Sequence, residues 1–196
     1  MILTTGILKE QLSNYANPAG KIGRMVKNGE LIPLTKGLYE NNPKVSGLYL
    51  ANAIYGLSYL SFNTALSYHG LIPEAVYVFS SATCDKKKKK SYSNYFGSFT
   101  YRDVPTEVFR YGIKIVEENG YSFMIATPEK ALCDKLYEIP PVKNQKGLED
   151  VLFSGMRLDH ALFDKLNRAD IYFIAPKYHS NNVTLLEKYL RRKYHE

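Results

Sequence analysis

The side chains whose types and spacing suggest chemistry form one acidic group and one basic group. The acidic group is Glu117-Glu118 followed by Glu129-Lys130 and Asp134. Carboxylates and a lysine that converge from adjacent strands can hold a divalent metal and activate water, as in a metal-dependent nuclease. Here Thr127-Pro128 reads as a capping side chain followed by proline at the first helical position. Glu129, Lys130 and Asp134 then share one helix, with Lys130 and Asp134 as an i, i+4 surface ion pair. The cap and the pair explain these residues without catalysis. The four histidines, His69, His160, His179 and His195, have no second His or Cys at i+3 to i+5, so metal binding has little local support. No nucleophile elbow, P-loop or dinucleotide fingerprint occurs. Cys84 reads as a free thiol near a loop and Cys133 as a small core residue. The sequence thus predicts no catalytic residue, no metal ligand and no cofactor.

The basic group is more focused. Lys21, Arg24 and Lys27 lie on one predicted helix, and Lys36 lies on the turn after it. The chain carries a formal charge of +7, which favours anionic partners such as nucleic acid. Part of that excess is the run Lys86-Lys87-Lys88-Lys89-Lys90, so position says more than the total. Residues 1–45 hold six Lys/Arg against three Asp/Glu.

The elements that must position the basic group are readable from local signals. Thr4 to Asn14 predicts a first helix. Asn17-Pro18 opens a second that runs to about Asn28 and stops at Gly29. Ile22, Met25 and Val26 share its apolar face, leaving the three cations on the other surface. Two short apolar runs about Lys36-Gly37 predict a hairpin. Helix, turn, helix, hairpin is the order of a winged helix-turn-helix, in which the second helix enters the major groove and the hairpin tip meets the backbone. The predicted contacts with DNA are Lys21, Arg24, Lys27 and Lys36.

A boundary at Asn41-Asn42-Pro43 separates residues 1–42 from a larger unit, 43–196. That unit is predicted as helical over Ser46–Tyr55 and Phe62–His69, with Ser61 as cap. Strands follow at Ala75–Ser80, Ser98–Val104, Val108–Val116 and Tyr121–Ala126, with Asp85–Asn94 a solvated loop. Helices then follow from Pro128, at Leu148–Phe153, Leu158–Leu166, Ala169–Tyr172 and Val183–Tyr194. The fold class is α+β: a winged helix-turn-helix, then a mixed α/β domain with a small, mostly antiparallel sheet and C-terminal helices. No apolar run spans a bilayer and the start lacks a secretory pattern, which predicts a cytoplasmic protein with no membrane partner.

Three stretches together resemble a known family. They are Lys27-Asn28-Gly29-Glu30-Leu31-Ile32 with Thr35-Lys36-Gly37-Leu38-Tyr39, then Tyr59 to Pro73, then Ala126 to Tyr137. In order and separation they resemble the AbiEi-type antitoxins and transcriptional regulators of abortive-infection systems. The resemblance implies a repressor that binds operator DNA of its own operon. It further implies an antitoxin that counters a nucleotidyltransferase toxin without a stable complex. It carries over no catalytic residues, and it does not account for the lysine run. Two other readings stay open. One is a protein-interaction or effector module with a vestigial winged helix; the other is the metal-dependent nuclease.

Overall fold

The computed structural model describes residues 1–195. Its first element is one that the sequence pattern hides: strand β1, Ile2–Thr4, pairs antiparallel with the later hairpin. Three residues are too few to show a period, so Thr4 is legible only as the cap of the next helix. That helix, α1 (Thr5–Gln11), is indeed capped by the Thr4 side chain, which accepts from the Ile7 N–H at 3.2 Å. Helix α2 (Pro18–Lys27) opens as expected, with the Asn17 side chain accepting from Gly20 N–H at 2.8 Å. It closes in a Schellman motif. Gly29 N–H donates to Val26 and Glu30 N–H donates to Met25, satisfying two of the orphan carbonyls.

Strands β2 (Ile32–Thr35) and β3 (Leu38–Glu40) form the hairpin, and β3 is the middle strand of the sheet β1-β3-β2. Leu3, Leu8, Ile22 and Leu31 make a small separate core beneath these elements. The unit is also tied to the rest of the chain. Leu34 belongs to the larger core, its carbonyl accepts from Asn94 Nδ2 at 3.0 Å, and Tyr121 donates to the buried Glu40 carboxylate at 3.0 Å.

The larger unit is built on a six-stranded sheet. In chain order its strands are β4 (Tyr59–Leu60), β5 (Val78–Thr83), β6 (Lys90–Asn94), β7 (Gly97–Asp103), β8 (Ile113–Glu118) and β9 (Tyr121–Ala126). The spatial order is β6-β7-β5-β4-β9-β8; β5–β7 and β4–β9 pair in parallel and the other three pairs are antiparallel. With helices before, between and after these strands, the chain is α+β.

Helices α4 (Phe62–Tyr68) and α5 (Pro128–Glu138) pack on one another and on the sheet. Helices α6 (Gln145–Glu149), α7 (His160–Asp164), α8 (Arg168–Ile174) and α9 (Asn181–Tyr194) complete the C-terminal part, with α8 and α9 lying against α5. Between α6 and α7 the chain makes a π-helical turn over Asp150–Gly155.

Several expected boundaries move, for identifiable reasons. The Ser46–Tyr55 helix divides into a 3-10 turn, Gly47–Tyr49, and a short α3, Ala51–Ile54. Strand β5 lies three residues beyond the apolar run that suggested it. Tyr77 is exposed, and the buried half of the strand is the small, polar Ser81-Ala82-Thr83. Hydrophobicity marked the wrong half because burial here falls on residues small enough to lie under neighbouring layers. The expected loop 85–94 ends in a strand, β6, which alternates inward and outward but carries only one apolar side chain, Tyr92, to reveal it. Val108–Val116 becomes a turn followed by β8, an edge strand with Ile115 exposed.

Candidate functional site

The sequence-predicted cations occupy two places. Arg24 and Lys27 are exposed on α2, and Lys21 is half-buried one turn earlier, its Nζ 5.7 Å from the Tyr15 ring centroid. Among the described residues none of the three pairs with a carboxylate, so α2 presents an open basic face opposite Ile22. Lys36 stands apart from them at the β2–β3 turn. That turn is fixed to the start of α1, because Gly37 O accepts from Thr5 N–H at 2.9 Å.

Gly23 lies on the exposed side of α2, and a Cβ there meets nothing within 4 Å. A helical glycine is less favourable than alanine by about 1 kcal/mol. Gly23→Ala is therefore expected to raise the melting temperature by about 2–4 °C in calorimetry. Destabilisation would mean that the bare backbone is needed within the folded chain itself.

A second cluster was missed by reasoning from sequence. Lys130 and Asp134 do not lie on a surface; both side chains are fully buried, with Nζ 2.5 Å from Oδ1. Asp134 is the centre of the arrangement. Its Oδ1 also accepts from Tyr178 at 2.5 Å, and its Oδ2 accepts from Ser61 at 2.6 Å and Tyr59 at 3.0 Å. Four donors fill the acceptor capacity of one carboxylate. Burial first, then the Asp134 charge, pushes the Tyr59 and Tyr178 hydroxyls well above the usual tyrosine range, so both remain donors at neutral pH. The Lys130 ammonium also lies against the Tyr178 and Tyr59 rings, 4.8 and 5.4 Å from their centroids.

The expected surface pair is thus an interior knot joining β4, the Ser61 turn, α5 and the 3-10 turn Ala175–Tyr178. Ser61 makes no hydrogen bond as a cap; its hydroxyl instead donates to Asp134. Tyr137, near the end of α5, is 40% exposed. Gly112 makes room for the knot. It sits at φ +63°, and a Cβ there would lie 2.7 Å from the Cβ of Lys130.

The carboxylates of the nuclease reading do not converge. Asp134 is saturated by the donors just named, and Glu129 accepts from Asn167 N–H at 2.9 Å. Among the described residues no three His, Cys, Asp or Glu are grouped so as to hold a metal ion. Neither cysteine is bonded to the other; Cys133 is buried and Cys84 half-buried. No described helix is long and apolar enough to cross a membrane.

His69 makes a titratable contact with the end of β9. Its Nε2 donates to Ala126 O at 2.8 Å in the neutral tautomer. Its pKa lies below the ordinary value of about 6.5, chiefly through burial, with the carbonyl of Ala126 opposing that effect. The neutral ring's contribution to stability is therefore complete above about pH 6.5. It is lost as the pH falls below that value, where the unfolded chain takes up a proton more readily than the folded one. His69→Gln is expected to lose less stability than the wild type between about pH 7 and 5 in denaturant titrations. Parallel curves for the two proteins would refute this.

No family model matches the chain, and no curated protein matches it significantly.

Proposed function

We propose that the protein is a DNA-binding transcriptional autorepressor whose first 42 residues act as a winged helix-turn-helix. The observation that carries the reading is the basic face of α2, Lys21, Arg24 and Lys27, which pairs with no carboxylate among the described residues, on a helix firmly capped at both ends. The two-helix order followed by the β2–β3 hairpin supports it, with Lys36 at the tip. In this reading α2 enters the major groove, Arg24 contacts phosphate or a guanine edge, and Lys36 meets the backbone.

The larger unit, 43–196, is read through the resemblance of its two signature stretches to the AbiEi-type antitoxins. On that reading it counters a nucleotidyltransferase toxin without forming a stable complex, as a cytoplasmic partner in phage defence. The burial of the second stretch gives its Lys130 and Asp134 an architectural task rather than a contact with the toxin. The reading names no catalytic residue and no cofactor.

Mobility-shift titration against the promoter of its own operon tests the proposal. Preference for that promoter over random duplex, steeply weakened by salt, is expected. Equal affinity for both overturns the operator reading, and stable capture of a protein partner without DNA binding would favour the interaction-module alternative. Co-expression with a nucleotidyltransferase encoded beside it, scored by growth, tests the antitoxin half.

A further inference from the structure

The five-lysine run is held in a defined shape rather than left loose. Asp103 at the end of β7 accepts the backbone N–H groups of Lys86 and Lys87 at 2.8 and 2.6 Å, and the Thr83 hydroxyl at 2.6 Å. Asp85 and Lys87 both adopt left-handed backbone, φ +54° and +57°, which is uncommon for residues other than glycine. The Asp103 carboxylate is thus turned to the backbone of the run. Among the described residues no carboxylate pairs with the ammonium groups of Lys87, Lys88 or Lys89. Like charges fixed side by side repel, and the Asp103 carboxylate beside the loop backbone offsets that repulsion only in part.

These three lysines line a cleft of about 590 Å³ with Arg102, Phe62 and Tyr137, and with the carboxylates of Asp103, committed to the loop backbone, and Glu138, committed to Arg102; the size suits a small ligand. Arg102 is held by Glu138 and lies 5.5 Å from the Phe62 ring centroid, while its Nε is buried without a partner. Phe62 has φ +53°, an outlier for a bulky residue and the kind of strain that gathers at binding sites. Tyr137 offers an exposed aromatic face. Ammonium groups, a guanidinium and an exposed ring around one cleft are the components that bind phosphate and stack a base. An acidic peptide would use the charges but leave the rings without a role.

We infer that this cleft binds nucleotides through their phosphates and bases, either as free nucleotide or as a unit of single-stranded nucleic acid. It is separate from the α2 face. The lysine run enters β6 at Lys90, whereas the N-terminal unit is met at the other end of that strand, through Asn94. The inference does not depend on operator binding.

Fluorescence anisotropy with a labelled ten-nucleotide single-stranded DNA tests it, using the full chain carrying Arg24→Ala and Lys27→Ala to silence α2. Saturable binding near 150 mM salt is expected. The triple change Lys87→Ala, Lys88→Ala, Lys89→Ala should weaken it about tenfold or more. Tyr137→Ala should weaken it by roughly fivefold or more if a base stacks there. A charge-matched control, Lys143→Ala, Lys146→Ala, Lys188→Ala, should change it by less than about twofold. Competition by adenosine triphosphate identifies a free-nucleotide site, and binding of the strand without such competition identifies a strand site. The inference is overturned if the control triple weakens binding as much as the loop triple. It is also overturned if Tyr137→Ala has no effect, if a poly-glutamate peptide competes as well as the strand, or if binding does not saturate.

Discussion

Asp134→Ala is expected to lower the unfolding free energy by about 3–5 kcal/mol, the usual loss when one member of a buried ion pair is removed. The change strips the acceptor from Lys130, Tyr178, Tyr59 and Ser61 together. What remains is an ammonium stripped of its counter-charge in a position that is fully buried in the wild-type fold. For a chain of this length the loss corresponds to a fall in melting temperature of roughly 6–20 °C. Thermal and urea unfolding followed by circular dichroism measure it.

The double change Lys130→Met, Asp134→Leu separates charge from packing. It leaves no unpaired charge, although three hydroxyls still lose their acceptor, so it should be less destabilised than Asp134→Ala. If the double variant is the less stable, the attraction within the pair exceeds its desolvation cost, and the account of the single change needs revision. A near-neutral Asp134→Ala would mean that solvent reaches the knot. Because the knot joins four segments, the loss should appear as one cooperative transition rather than as local fraying of α5.

Arg24→Ala is expected to weaken binding to the operator by about 10- to 100-fold, the range for losing a guanidinium that grips a base edge or phosphate. Lys27→Ala should act differently. As a phosphate contact it should lower affinity for all sequences alike, and flatten the slope of log K against log salt by about one. Lys88→Ala provides the comparison, since Lys88 lies in the cleft beside β7 and not on α2. A larger effect on duplex operator from Lys88 than from Arg24 would move the DNA surface to the lysine loop. Because Arg24 makes no ion pair among the described residues, its removal should leave the unfolding midpoint nearly unchanged. Lost binding can then be read as lost contact.

The sequence by itself determined those elements whose signals are local. Asn17-Pro18 and Thr127-Pro128 announce helices because a capping oxygen and a missing N–H act on the next few backbone groups, whatever surrounds them. Lys36-Gly37 gives the hairpin for the same reason, and α2 owes its legible basic face to the spacing of Ile22, Met25 and Val26. Strand β5 was found but misplaced, since its buried half is Ser81-Ala82-Thr83 and those residue types do not advertise burial. Strand β6 was lost among serines and lysines.

Only the tertiary structure decided what Lys130 and Asp134 are. Their i, i+4 spacing is the same on a surface as in a core. The distinction came from Tyr59, 75 positions from Asp134, and Tyr178, 48 positions from Lys130, which close over the pair. The lysine run was settled in the same way, by an Asp103 carboxylate about sixteen positions away that fixes its backbone. Local rules fix which stretches become elements because capping and periodicity act within a few residues. Whether a charge is solvated or buried depends on which distant side chains the fold brings over it.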